Sequence, residues 1–317
     1  MIQTSMNEES RGQSGQFRRK NVRDVNGILL LDKPMGMTSN RALQKIKHLY
    51  GARKAGHTGS LDPLATGMLP LCFGQATKVS HWLLDADKVY EVEAAMGART
   101  DTADADGQVV ETSAVTISRP MLEAALDAHR GKIEQVPPMY SALKQDGQRL
   151  YKLAREGKEV ERKARQVEIY ELSIVHYDPA RPVLRVRCSK GTYVRTLIET
   201  IAAAMGTVAH VAALRRTVLG PFASGGMVTL EQVAALAGDN DALDRLLIPA
   251  DRALEAFPAI ELTADEAFYL RHGHTVGHAP QGLSGPVRVY DQDARFLGIG
   301  EILPDGGIAP KRLFAGG

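Results

Sequence analysis

One aspartate, Asp62, stands in the stretch G-H-T-G-S-L-D-P-L-A-T-G, residues 56–67. The stretch is too small and polar to build a core, and too regular to be a linker. Two readings compete. Asp followed by Pro is a standard helix start, with the carboxylate accepting N–H bonds at the N-cap and Pro at the first helical position. Alternatively, the carboxylate does chemistry. Other site types fit poorly. G-A-R-K-A-G-H-T (51–58) resembles a phosphate-binding loop, but His57 stands where a lysine must reach the phosphates. Ser60 is in no nucleophile elbow. His57 and Asp62 make two metal ligands without a third nearby. T-A-D-A-D-G (102–107) partly follows a calcium loop, but Thr102 and Ser113 occupy the positions that need Asp and Glu, so a solvated turn is expected.

Arg195 is the second candidate. It falls in the first turn of a helix predicted from Thr192, where a cation opposes the helix dipole at a cost of up to about 1 kcal/mol. It also lies off that helix's apolar stripe of Val194, Leu197, Ile198, Ile201, Ala202 and Met205. A cation so placed needs an anion, either a carboxylate that it keeps ionised or a phosphate; the plain alternative is a solvated surface arginine. Tyr90, on a predicted strand 90–97, and Tyr193, at the helix start, are each readable as packing residues.

These side chains need elements to hold them. G-I-L-L-L (27–31) reads as a buried strand, and K-P-M-G (33–36) as a turn. Thr38 or Ser39 then caps a helix with Ala42, Leu43, Ile46 and Tyr50 on its apolar face, ended by Gly51. A helix is expected at 121–131 and a strand at 167–175. V-L-R-V-R-C (183–188) alternates, with Leu184, Val186 and Cys188 on one side and Arg185 and Arg187 on the other. Residues 144–165 carry eight basic and four acidic side chains with little large apolar material, as an excursion from the core would. Pro249 and Pro258 mark a boundary. Beyond it, Thr263 and Glu266 form a capping-box pattern, and a hairpin is expected around Gln292 and Asp293.

The chain has 317 residues, enough for one large domain or two. Lys plus Arg is 39 against 37 acidic residues, so the net charge of +2 announces no polyanionic partner; only its distribution can. Two cysteines exclude a disulfide framework and a four-cysteine zinc site, and fit a reducing, cytoplasmic setting. No apolar run approaches the roughly 18 residues of a membrane span. Residues 1–24 are polar and basic, lack the apolar core of a signal peptide, and read as a disordered arm.

Taken together, the motifs resemble the TruB family of tRNA pseudouridine synthases. The carriers are G-H-T-G-S-L-D-P-L-A-T-G with the following L-P-L-C-F-G-Q-A-T-K, K-P-x-G at 33–36, and D-K-x-Y-E (87–91) leading into G-x-R-T-D-T-x-D-A-D-G (97–107). C-S-K-G-T-Y-V-R-T-L (188–197) completes the set. The match covers about residues 25 to 230; the C-terminal segment resembles the PUA domain of bacterial members. The resemblance implies an α+β catalytic domain (25–251) on a mixed, largely antiparallel sheet with a central cleft, then a small β-rich PUA-like RNA-binding domain (252–317). It implies isomerisation of the TΨC-loop uridine, position 55 of tRNA, by a monomer without metal or cofactor. It makes Asp62 the catalytic aspartate, Arg195 its ion-pair partner and Tyr90 the residue against the target base. His57 meets the displaced tRNA stack, and Tyr193, Leu214, Lys33 and Lys190 join the substrate-binding positions. The excursion, about 138–166, becomes an RNA clamp carrying Lys152, Arg155 and Lys158.

The chemistry agrees with those residue types. The reaction breaks the C1′–N1 bond and makes a C1′–C5 bond, losing no group and changing no oxidation state. A carboxylate serves it as nucleophile, as stabiliser of positive charge at the anomeric carbon, or as base on the sugar. A uridine inside a folded loop must first be flipped out, and flat side chains such as His57 and Tyr90 suit the gap and the base. Arg185, Arg187, Lys190, Arg215 and Arg216 are expected to add local positive charge for RNA. A non-catalytic tRNA-binding or folding protein would need neither Asp62 nor Arg195. A glycoside hydrolase would need a second carboxylate in the specific motif.

Overall fold

The computed structural model describes residues 22–314 except Ala142 and Asp146, with the backbone alone at Lys144 and Gln145. The arm expected at 1–24 therefore lies, up to residue 21, outside the described residues.

The strand Gly27–Lys33 is buried along nearly its whole length. It lies between the antiparallel Thr66–Phe73, with Leu29 opposite Leu71, and the short parallel Val228–Thr229. Leu29 and Leu31 face the main core with Leu69, Leu71 and Phe73. Ile28 and Leu30 face the other way, with Met68 and Cys72. Burial on both faces explains the unbroken apolar run.

From Thr66–Phe73 the main sheet continues through Ala209–Leu219, Lys88–Met96, Val183–Cys188 and Arg165–His176 to Gly131–Gln135. Pairing is antiparallel except between Gly27–Lys33 and Val228–Thr229 and between Thr66–Phe73 and Ala209–Leu219. This is the mixed, largely antiparallel α+β architecture that the family resemblance implies. The helices Ser39–Leu49, Arg119–Ala128 and Val194–Ala204 bury Ile46, Leu122, Leu126, Leu197 and Ile201 in the core on one face.

A separate four-stranded sheet follows: Ala259–Glu261, Gly285–Tyr290, Phe296–Ile302 and Ile308–Leu313. It contains the expected hairpin, and Thr263 and Glu266 close the expected capping box on Ala264–Arg271. Its own small core holds Leu270, Val287, Val289 and Leu297. Ile299, with Phe296 and Phe314, instead joins the second face of the main sheet, alongside Leu254, Trp82 and Phe257. The two parts thus meet across an apolar seam. Ala253 and Leu254 pack into that seam from the turn Ala250–Leu254.

Three local expectations fail, each for a tertiary reason. No helix starts at Asp62–Pro63; a turn closed by Ala65 N–H to the Asp62 carbonyl (3.1 Å) leads into the strand Thr66–Phe73. Gly67 at φ +94° and Pro70 would interrupt a helix, whereas the strand takes a central place in the sheet. The turn at 102–107 is docked rather than solvated: Ala105 N–H donates to the Val211 carbonyl and Val211 N–H to the Ala103 carbonyl. The excursion has an apolar anchor, Leu150, only 3% exposed, at the start of the helix Leu150–Arg155.

Candidate active site

Four segments, with Arg195 from the helix Val194–Ala204, converge on one cleft of about 920 Å³. The loop after Ala55–His57 brings His57, Ser60 and Asp62. The helix Ser39–Leu49 presents its N-terminus, the docked turn brings Thr102, Asp104 and Asp106, and the excursion brings Tyr140, Arg149, Tyr151 and Arg155.

The aspartate loop is held at several points. The Ser39 hydroxyl donates to the Leu61 carbonyl (3.0 Å) and accepts from Leu61 N–H (2.8 Å). Gly36 N–H donates to the Pro63 carbonyl (2.8 Å). The Lys33 ammonium, fully buried, donates to the carbonyls of Pro34, Met37 and Pro63. Its three N–H bonds are therefore all directed at backbone, and it sits beneath the aspartate loop rather than in the cleft.

Arg195 is the junction of the site. Its guanidinium lies 3.0 Å from the Asp62 carboxylate and 3.4 Å from that of Asp104, and it donates to the carbonyls of Thr102 and Tyr140, both at 2.7 Å. The side chain is 6% exposed. Its position off the apolar stripe thus reflects a polar burial, with loops covering it in place of core side chains. The partner is a carboxylate, and there are two of them. Asp104 is itself fixed by the Thr102 hydroxyl (2.6 Å) and Asp106 N–H (3.2 Å). No property of its solvated-looking stretch singles it out in the sequence; only the docking of that turn on Val211 brings it inward.

Burial pushes the Asp62 carboxyl above its ordinary value. Arg195 and Lys33 oppose that shift, while Asp104 and Asp106 reinforce it. Arg195 thus favours the ionised form, as expected, against the larger effect of burial. The side chain keeps 44% of its surface because the cleft is open, yet it sits on a concave floor walled by protein, so the upward direction stands. Burial, followed by Arg216 and Arg149, pushes the His57 imidazole down and favours its neutral form. Its Nδ1 is buried without a hydrogen-bond partner. The phenols of Tyr90 and Tyr193 are both raised, first by burial.

Of the remaining expected residues, Tyr90 packs against the main core, directly opposite Arg216 on the neighbouring strand. Tyr193 caps Val194–Ala204 and is gripped by the buried Gln135 amide, which accepts from its N–H (3.0 Å) and donates to its carbonyl (3.3 Å). Leu214 is buried in the core. Lys190 lies outside the cleft, paired with Asp85 at 3.0 Å. Lys152 and Lys158 are exposed, and Arg155 lies over the Tyr151 ring. Asp104, Gln135, Arg149 and the structural role of Arg216 have no distinctive signal in the sequence.

The comparisons decide the lineage. Residues 47–194 match the model for the TruB family pseudouridylate synthase N-terminal domain. Residues 195–255 match the tRNA pseudouridylate synthase B C-terminal domain, and 258–314 match the pseudouridine synthase II TruB C-terminal domain. The chain belongs to the TruB family of pseudouridine synthases. It is 56% identical over 293 residues to tRNA pseudouridine synthase B of Pseudomonas putida and 55% identical to that of Pseudomonas aeruginosa, covering 92% of this chain and 96% of each relative. In fold, it superposes on the crystal structure of a Cbf5-Nop10-Gar1 complex with a TM-score of 0.70 at 24% identity, over 90% of this chain and 84% of that one. One TruB-family match ends at residue 255 and the next begins at 258. Among the described residues no helix is long and apolar enough to cross a membrane.

Proposed function

We propose that this cleft isomerises a uridine of tRNA to pseudouridine, and that the target is the TΨC-loop uridine at position 55. The observation that carries the reading is the Asp62–Arg195 ion pair on the floor of an open cleft. Asp62 works as the carboxylate at C1′, at the base or on the sugar while the C1′–N1 bond breaks and the C1′–C5 bond forms. The proton lost from C5 balances the one gained at N1, so the reaction needs no cofactor. Arg195 holds the carboxylate in line, and Asp104 and two carbonyls hold Arg195.

The target base leaves its stack to reach Asp62. The neutral His57 ring, at the cleft wall, fills the vacated place, and the Tyr90 ring supports the flipped base, with Tyr193 and Leu214 beside it. Arg149, Lys152, Arg155 and Lys158 clamp the RNA backbone, and the C-terminal sheet serves as a PUA-like second contact. The enzyme acts as a monomer in the cytoplasm, which suits its two buried, unpaired cysteines. The test is incubation with uridine-labelled tRNA, one substrate carrying uridine and another cytidine at position 55. Pseudouridine from the first alone is expected. Free uracil would mean glycosidic cleavage without re-attachment, and bound but unchanged tRNA would mean a binding protein.

A further inference from the structure

Arg216 is 1% exposed and heads the largest fully buried side chains of the molecule. Among the described residues no carboxylate pairs with it. Its Nε donates to the Met68 carbonyl (2.7 Å) and one terminal nitrogen donates to the Gly59 carbonyl (3.0 Å), while Tyr90 stands directly opposite on the neighbouring strand. Burying a guanidinium without a counter-charge is costly, and an apolar side chain of similar volume would fill a core place at less cost. A locally costly residue of this kind points to work elsewhere in the molecule.

The backbone is shaped to deliver that side chain. Arg216 on Ala209–Leu219 stands directly opposite Tyr90 on Lys88–Met96, and the pairing register breaks between Arg216 and Val218. Bulges of this kind re-aim a side chain beside active sites. On its other flank Arg216 pairs with Gly67, where a Cβ would come within 2.3 Å of the Arg216 carbonyl oxygen; only glycine admits this approach. The next strand's chain thus lies close enough for one guanidinium, beside Tyr90, to reach the Met68 and Gly59 carbonyls together. Gly59 lies three residues before Asp62, in the loop that carries it.

We propose that Arg216 is a positioning residue for the isomerisation, fixing the Tyr90 ring and the Asp62 loop in one frame so that the supported base and the carboxylate keep register. The proposal rests on the reading of Tyr90 as the support of the target base. Arg216 does not line the cleft and touches no reacting atom. Its effect is on the rate of the bound complex, because RNA is gripped elsewhere.

The experiment measures single-turnover pseudouridine formation at saturating tRNA, together with tRNA affinity, for wild type, Arg216→Met, Arg216→Lys, Tyr90→Phe and Arg216→Met/Tyr90→Phe. Thermal melts establish which variants fold. Arg216→Met is expected to slow the reaction on the order of 100-fold, the scale of a small misplacement, with affinity changed less than about threefold. Arg216→Lys should recover part of that rate, since an ammonium reaches some of the acceptors but lacks the fork. In the Tyr90→Phe background the loss from Arg216→Met should shrink at least about fivefold, because both changes break one shared contact. Wild-type rates in folded Arg216→Met and Arg216→Lys, strictly independent effects in the double variant, or equal losses of rate and affinity would each overturn the proposal. Should Arg216→Met not fold, Arg216→Lys decides: slowed with affinity kept supports it, unchanged overturns it. A wild-type protein that forms no pseudouridine would instead bring down the underlying reading, a result distinct from any of these.

Discussion

The cleft floor and the outer surface of the main sheet are both dense in acid–base pairs, yet they differ in what the pairs face. On the surface, Arg185 pairs with Glu171, Arg187 with Asp87, Lys190 with Asp85 and Arg215 with Asp32. Those cations were expected to add positive charge for RNA; each has a carboxylate beside it, which offsets part of its attraction for phosphate. Pairs of this exposure contribute about 0–1 kcal/mol apiece. On the floor, Arg195 is withdrawn from water and serves two carboxylates. Around the cleft rim, Arg149, Lys152 and Arg155 have no carboxylate partner among the described residues and remain available to phosphates. The difference teaches that basic residues count towards RNA only where acidic neighbours are missing, which a charge tally along the chain does not reveal.

The largest expected effect is at the floor. Asp62→Asn should lower single-turnover conversion on the order of 10³-fold or more while tRNA binding persists. Residual conversion within tenfold of wild type would remove Asp62 from the chemistry. The same variant sharpens the contrast through stability. A carboxyl whose folded pKa is raised binds protons more tightly in the folded state, so its contribution to stability falls as pH rises from the unfolded value through the folded one. Asp62→Asn should therefore melt at or above the wild-type temperature at neutral pH, and lose that advantage in acid. A clear drop in melting temperature at pH 7 would contradict the direction of the shift. By the same sign, wild-type kcat/KM should fall with decreasing pH at a point above the usual carboxylate range.

Arg195→Lys comes next. The charge survives, but one ammonium cannot serve Asp62, Asp104 and two carbonyls at once. A loss on the order of 10²-fold in kcat with little change in affinity is expected. Equal losses in both would recast Arg195 as a phosphate contact. At the rim, changing Arg149, Lys152 and Arg155 together to alanine should weaken tRNA binding and flatten the slope of log affinity against log salt by about 2 to 3 if all three meet phosphates. An unchanged slope would return the segment to plain solvated surface. The smallest effect is expected from Arg187→Ala with Lys190→Ala, which should alter affinity less than about twofold. A loss matching that of the rim variant would erase the distinction between the two surfaces.

Much of the scaffold was legible because burial and periodicity agree. The helix Ser39–Leu49, the alternation of Val183–Cys188 and the capping box at Thr263 are local signals that the tertiary structure leaves intact. The strand Thr66–Phe73 was not, since Pro70 and Gly67 disguise a central strand and Asp62–Pro63 imitates a helix start. At the site, Asp62 stood out because its glycine-flanked stretch suits neither a core nor a linker, and Arg195 because it breaks a local rule. Asp104, Gln135 and Arg216 break none visible along the chain; their roles arise from which strands and turns come to lie beside them.

The strand Gly27–Lys33 carries a further consequence. Where one face of a strand is polar, sliding it by a residue exposes the wrong side chains, and that fixes its alignment. Ile28 to Leu31 are apolar on both faces, so hydrophobicity alone cannot prevent a slip here. Alignment must be pinned at the ends. At one end, a Cβ on Gly27 would come within 2.9 Å of Leu247, so only this residue fits that point. At the other, Asp32 is tied to Arg215, and Lys33 to three carbonyls that include Pro63. A slipped strand would drag the Lys33 ammonium into apolar core and release the Pro63 carbonyl, loosening the neighbouring Asp62. Faithful folding of this one strand and assembly of the Asp62 loop are therefore the same event.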